Sequence, residues 1–242
     1  TSRAHLEALA ERGFRRISMG VQDIDENVQQ LVNRHQPFDL TARLCEDARA
    51  LGYASINVDL IYGLPGQTPA SMRALAGAIA ALRPDRLAVY SFARVPWIKP
   101  QQRRFRDDQI PSGAAKRALY EIVRAAPIAA GYVEIGMDHF ALPADGLAQA
   151  AAAGTLHRNF MGYADVRTDV LLGLGVSAIS ETHGCYHQNE KVLPLYERRI
   201  DAGELPTLRG HRLTPLEVRR RAQILALMTA FHAPLDAADE AE

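Results

Sequence analysis

Two short segments carry small or polar residues at every second position. In 15–22, Ser18, Gly20 and Gln22 alternate with Ile17, Met19 and Val21. In 55–62, Ser55, Asn57 and Asp59 alternate with Ile56, Val58, Leu60 and Tyr62. On a β-strand this period of two sends the two sets to opposite faces. A parallel strand covered by helices is apolar on both faces. Two strands that each keep one polar face therefore predict a lumen holding a ligand rather than packed side chains. The alternative is that Asn57 and Asp59 satisfy backbone groups at a strand end.

Gly63-Leu64-Pro65-Gly66-Gln67-Thr68 follows a strand and precedes a helix, a place where glycines allow close backbone approach and a helix N-terminus favours anions. It lacks the Gly-Lys-Ser/Thr of a phosphate-binding P-loop, so a tight structural turn explains it equally well. Asp138 stands beside His139, and His157-Arg158-Asn159-Phe160 forms a second cluster; for a lone histidine a hydrogen-bonded structural role is the default. No nucleophile elbow and no HExxH or Cys/His metal spacing is present. The two cysteines, Cys45 and Cys185, are far apart, which is neither a disulfide framework nor a metal knuckle and fits a reducing cytosol.

The elements that must position these residues follow from periodicity and caps. Thr1 to Gly13 reads as a helix, 15–22 as a strand, the stretch around Val28, Leu31 and Val32 and the stretch 39–51 as helices, and 55–62 as a second strand. Thr68-Pro69 is an N-cap followed by proline at the first helical position, opening a helix to about Leu82. A third strand spans 85–92. This βα repeat predicts right-handed crossovers and a parallel sheet. It opens on a helix, and three units cannot close a barrel; the expected class is α/β, the second half of an incomplete parallel (β/α) barrel followed by a mostly helical C-terminal region. Further on, a basic loop (93–111), a helix from Ala114 to Ala130 disturbed near Pro127, a strand from Tyr132 to Phe140, an alanine-rich helix at 147–153, a helix at 192–202 and a last amphipathic helix at 216–231 are expected, with a frayed end after Pro234. The domain division is placed at 1–110 and 111–242.

Composition bounds the function. Of 242 residues, 28 are Lys or Arg and 28 Asp or Glu, so no net basic charge supports binding nucleic acid by phosphate neutralisation. With 48% hydrophobic and 23% charged residues the chain is an ordinary globular one. No apolar run approaches the roughly 18–20 residues of a membrane helix, and no signal peptide opens the chain.

The strings GFRRISMGVQD (13–23), LVNRHQ (31–36), NVDLIYGLPGQT (57–68), PDRLAVYSFARVP (84–96), GMDHFALP (136–143), HRNFMGY (157–163) and LLGLGVSAIS (171–180) resemble the oxygen-independent coproporphyrinogen III oxidases, a branch of the radical S-adenosylmethionine enzymes. The first four strings are shared with relatives, notably a haem-chaperone branch; GMDHFA and HRNFMGY distinguish the oxidases from it. The resemblance implies an incomplete barrel holding a 4Fe–4S cluster and two molecules of S-adenosylmethionine. One of these molecules yields a 5′-deoxyadenosyl radical, which starts the oxidative decarboxylation of two propionates of coproporphyrinogen III to the vinyl groups of protoporphyrinogen IX. By motif position, the resemblance implies that Gln22, Arg34, Asp59 and Ala93 contact the second S-adenosylmethionine and that Ile179 contacts the first, the one that is cleaved. The four carboxylates of the substrate call for cationic partners, and the candidates are Arg94, Arg158 and the Arg103–Arg106 cluster, although ordinary surface solvation explains that cluster better. The implied setting is a cytoplasmic monomer with an electron donor as partner. The competing readings are a non-enzymatic haem chaperone of the same family and a radical enzyme acting on another substrate. The CxxxCxxC motif that holds the cluster is absent from this sequence, so an internal fragment, inactive alone, is expected.

Overall fold

In the computed structural model, residues 1–233 are described. They form two compact units, Thr1–Gln149 and a second from Ala150 onward.

The first unit is a βα repeat closed by a hairpin. Its elements are α1 (Arg3–Glu11), β1 (Arg16–Gln22), α2 (Glu26–Leu31), α3 (Phe38–Ala50), β2 (Ser55–Tyr62), α4 (Pro69–Leu82), β3 (Arg86–Ser91), α5 (Gly113–Ala129), β4 (Val133–Gly136), β5 (His139–Ala141) and α6 (Gly146–Ala152), which crosses the division between the units. The strands lie in the order β1-β2-β3-β5-β4. β1, β2 and β3 are parallel, in the register Ser18–Asn57 and Gly20–Asp59, then Asp59–Ala88. The expected parallel sheet is thus present, extended by two antiparallel strands.

Local chemistry accounts for these limits. Thr68 caps α4 by accepting from the Ser71 amide at 3.1 Å, with Pro69 in the first turn. Leu6 and Ala10, four apart on α1, are buried with Cys45, Ala48, Tyr53 and Ile56. Val58, Leu60, Leu87 and Val89 meet Met72, Leu75 and Ile79 of α4 and Leu119 and Val123 of α5. The apolar sets of all three parallel strands therefore face helices, and the polar sets face the other way.

Three expectations change. The segment 132–140 is a hairpin, not one strand, because Met137 and Asp138 both take left-handed backbone conformations (φ 41° and 66°) and turn the chain back on itself. The helix α5 runs through Pro127, which is buried in its last turn; Tyr132 donates its amide to the Pro127 carbonyl as the chain leaves the helix. Where the sequence places a domain boundary after residue 110, the chain continues in the same unit to Gln149, since β5 pairs with β3.

The second unit contains β6 (His157–Asn159) and β7 (Gly162–Ala164), a two-stranded ribbon, and β8 (Val170–Leu171), β9 (Ile179–Thr182), β10 (Cys185–Asn189) and β11 (Thr207–Arg212), an antiparallel sheet in the order β11-β10-β9-β8. Its helices are α7 (Leu193–Asp201) and α8 (Pro215–Ala230). Strands stand beside the helices here, where the sequence predicts mainly helix; β6 to β9 are too short to show a period of two, and all six residues of β11 are exposed, so it has no apolar face to alternate. The expected frayed end after Pro234 lies outside the described residues.

Candidate functional site

The polar face of the first sheet is built from its register. Ser18, Asn57 and Asp59 form a closed triangle. The Ser18 hydroxyl donates to Asp59 Oδ2 at 3.2 Å, and the Asn57 amide donates to Asp59 Oδ1 at 2.7 Å and to Ser18 Oγ at 2.9 Å. Gly20 sits beside Asp59 on the next strand. A Cβ placed on Gly20 would lie 2.6 Å from Gln22 Nε2 and 3.5 Å from Arg34 Nη2, so the Gln22 amide is folded back over Gly20, with the Arg34 guanidinium alongside. Gln22 reaches this position because β1 bulges between Gly20 and Gln22 and Gln22 itself is left-handed, with φ 69°. Arg34 donates to the Gly20 carbonyl and, at 2.8 Å, to Gln36 Oε1. The structure thus gathers Gln22, Arg34 and Asp59, which the sequence scatters over 37 positions of chain between α1 and α4, around one glycine. An open hollow of about 550 Å³ runs along the β1 edge next to them, lined in part by Ser18, Gly20, Arg34 and Gln36.

Ala93 lies just past the C-terminal end of β3, exposed, its carbonyl accepting from the Gln102 amide at 3.2 Å. Arg94 is held inside the same loop: it donates to the Phe105 carbonyl at 3.1 Å and pairs with Asp107. Ile179 opens β9 and Arg158 is in β6, both in the second unit; Arg158 stacks on the Tyr163 ring at 4.8 Å.

The register also brings in residues that the sequence does not assign to this face. Ala88 pairs with Asp59 on one side and with His139 on the other, giving a row Gly20–Asp59–Ala88–His139 across four strands. His139 Nδ1 donates to the Met137 carbonyl at 2.9 Å, which leaves Nε2 as the lone-pair nitrogen of the neutral ring. Tyr90, two residues beyond Ala88, meets the His139 ring edge-on at 5.8 Å. The alternation Arg86, Ala88, Tyr90 against Leu87 and Val89 was the signal available for β3; β5 is too short to give one. Arg86 itself is anchored by Asp145 at 2.7 Å, and Asp145 also accepts from Ser55 Oγ at 2.8 Å.

The Gly63–Thr68 loop is a self-satisfied turn. The buried Gln67 accepts from the Leu64 amide at 2.9 Å and donates to the Ile61 carbonyl at 2.8 Å and to Asp23 Oδ2. Burial raises the Asp23 carboxyl above the usual carboxylate range, against its hydrogen bonds. Lys116 closes the strand ends nearby, donating to the Phe92 carbonyl at 2.7 Å, and its burial lowers its ammonium pKa.

Among the described residues no group of three or more His, Cys, Asp or Glu could hold a metal ion. Cys45 is fully buried in α3 and burial pushes its thiol up to about 11, so it remains protonated at neutral pH, and Cys185 is in β10 of the other unit. The cysteines present do not fit an iron–sulfur cluster. The polar face does fit a small zwitterionic ligand: the Asp59 carboxylate, the Arg34 guanidinium and the Gln22 amide gather beside Gly20.

Residues 1–79 match the radical SAM superfamily. The chain is 42% identical over 228 residues to the oxygen-independent coproporphyrinogen III oxidase of Paracoccus denitrificans, covering 94% of this chain and 51% of that protein. It is 44% identical over 234 residues to the protein of that name from Escherichia coli, with coverages of 96% and 51%. For Pseudomonas aeruginosa the identity is 46% over 223 residues, covering 92% and 48%. A solved structure of the coproporphyrinogen III oxidase of Escherichia coli, reported as a radical SAM enzyme, matches with a TM-score of 0.90 at 43% identity, over 96% of this chain and 53% of that one. The chain spans about half the length of the curated relatives it matches.

Proposed function

We propose that this chain, homologous to the oxygen-independent coproporphyrinogen III oxidases over about half their length, is the part of such an enzyme that holds S-adenosylmethionine against the polar face of a half-barrel sheet. The complete enzyme converts two propionates of coproporphyrinogen III to vinyl groups by oxidative decarboxylation, without oxygen. The observation that carries the reading is the cluster of Gln22, Arg34 and Asp59 around Gly20, on the sheet face turned away from the helices.

The roles follow from charge and hydrogen-bonding capacity. Asp59, an acceptor with about four lone-pair sites, uses one on Ser18 and one on Asn57 and can accept a ligand ammonium or hydroxyl with the others. Arg34 presents a cation to a ligand carboxylate, and Gln22 offers both a donor and an acceptor over Gly20. Ala93 borders the strand ends without a side chain large enough to fill them. These residues are assigned to the second S-adenosylmethionine; the first, when bound, would supply the carbon radical that starts hydrogen abstraction. The 4Fe–4S cluster that this chemistry also needs has no ligand set in this chain, and no step is assigned through it. Ile179 is the proposed contact to the first S-adenosylmethionine. Arg94 and Arg158 are the proposed cations toward substrate carboxylates, and of the two Arg94 already has an internal partner in Asp107. The proposed partners are coproporphyrinogen III and an electron donor, in the cytoplasm, with the complete enzyme a monomer; no described helix is long and apolar enough to cross a membrane.

The test is equilibrium dialysis of S-adenosylmethionine against the chain and its Asp59→Ala variant. A charge-assisted hydrogen bond is worth about 1.5–3 kcal/mol, so affinity should fall about tenfold or more. Equal affinities, or no saturable binding by the unsubstituted chain, overturn the assignment.

A further inference from the structure

The second unit contains a cleft of about 350 Å³ between the β6–β7 ribbon and α8, floored by Glu181 and Tyr186. Its walls are apolar at Phe160, Leu225 and Met228, and the Tyr163 hydroxyl ties the ribbon to α8 by donating to the Met228 carbonyl at 2.7 Å. The charged groups lining it are unequally matched. Glu181 is engaged by Arg221. Glu217 accepts from the Thr214 amide at 2.8 Å and pairs with His211 at 2.9 Å. Arg158 stacks on Tyr163 but has no carboxylate partner among the described residues, and its Nη1 is buried without any hydrogen bond. Arg158 therefore lines the cleft as a cation without a counter-charge of its own, while both carboxylates there are engaged, and a cation beside an apolar wall favours an anionic partner. The remaining walls say what else that partner carries: an apolar body that covers Phe160 and the α8 face.

We infer that this cleft binds an amphipathic carboxylate, with its carboxylate on Arg158 and its apolar part on Phe160, Leu225 and Met228. Identifying that carboxylate as a propionate of coproporphyrinogen III rests on the proposed function; the cleft assignment does not. An arginine suits the task because its planar fork matches a carboxylate while its face stays stacked on Tyr163.

The probes are coproporphyrin III, the fluorescent oxidised tetra-acid, followed by fluorescence anisotropy, and dodecanoate, followed by calorimetry, each titrated into the full chain. Arg158→Gln should weaken both by about tenfold, the factor expected for one charge-assisted contact. The tetramethyl ester of coproporphyrin III should bind the unsubstituted chain no better than the tetra-acid binds the variant. Leu225→Trp, which fills the cleft without changing charge, should weaken both acids. Arg158-independent binding of both probes, or an ester as tight as the acid, overturns the cleft assignment. Arg158-dependent binding of dodecanoate with none of the porphyrin keeps the cleft and counts against the substrate reading. If the Arg158→Gln chain does not fold by circular dichroism, Leu225→Trp decides, and an unchanged affinity there overturns the proposal.

Discussion

Asp59 is already hydrogen-bonded to Ser18 and Asn57, yet each bond uses a different carboxylate oxygen, so the group is oriented without being saturated. Gly20 has the complementary role. An added methyl would displace the Gln22 amide, the far end of a flexible side chain, while the strand backbone stays where it is. Gly20→Ala should therefore leave unfolding by urea within about 1 kcal/mol of the original, the usual range for a substitution without a core or polar defect, and yet weaken S-adenosylmethionine in dialysis. A large loss of stability with unchanged affinity would show that Gly20 serves the strand and not the ligand. Asp145 behaves oppositely. Its side chain is 3% exposed and neutralises Arg86, accepts from Ser55 and caps the Leu147 amide at 2.8 Å. Asp145→Ala removes the acceptor of the buried Ser55 hydroxyl and Leu147 amide and takes one partner from Arg86, a change that costs about 1–3 kcal/mol for each buried donor left unsatisfied; a urea midpoint close to the original would contradict that account.

At the scale of elements, the helices and parallel strands of the first unit were legible because each carries a repeated signal. Strand β2 and helix α4 begin and end where the alternation and the Thr68-Pro69 cap place them. The polar face was legible for the same reason, through Asp59 and Gln22, although the bulge between Gly20 and Gln22 leaves no mark in the sequence. Arg34 and Ala93 were reachable only by resemblance, since one lies in a loop after α2 and the other past a strand end. His139 was visible as a residue but not as part of the face. The turn before it uses Met137 and Asp138 instead of Asn-Gly, so the hairpin that places it gives no turn signal. That turn is held by Val89, which donates its amide to the Asp138 carbonyl at 2.8 Å, and by Tyr120, which hydrogen-bonds the Asp138 side chain. Since asparagine tolerates left-handed backbone better than methionine, Met137→Asn should stabilise the chain by roughly 0.5–1 kcal/mol, read as a higher urea midpoint. The tyrosines on this side give a pH signature. Burial pushes the Tyr120 phenol up to about 12, helped by Asp138, and burial also brings Tyr132 to about 12. The unfolded chain releases such protons near 10. The stability they contribute is complete below about pH 10 and disappears as pH rises through about 12. A Tyr120→Phe, Tyr132→Phe chain should lose less stability than the original between about pH 9 and about pH 11.5; parallel losses in the two chains would contradict this.

At the scale of the molecule, the two units divide the proposed tasks. Thr1–Gln149 carries the polar sheet face, and the unit from Ala150 onward carries Ile179 and the Arg158 cleft. Neither supplies the electron-transfer centre. Iron–sulfur clusters are held by cysteine thiolates, and this chain has two cysteines against the three of a CxxxCxxC motif. One of the two, Cys45, is completely enclosed by α1 and its neighbours, with a thiol that ionises only near 11. Ligand binding and radical generation should therefore separate cleanly in this chain. After anaerobic incubation with iron and sulfide and removal of the excess, the protein should retain far less than one cluster by iron counting. It should form no 5′-deoxyadenosine from S-adenosylmethionine and a reductant, and still show Asp59-dependent binding of S-adenosylmethionine by dialysis. Stoichiometric cluster incorporation with 5′-deoxyadenosine production would mean that these two cysteines, or ligands other than thiolates, can hold the cluster, and would overturn the separation of the two functions.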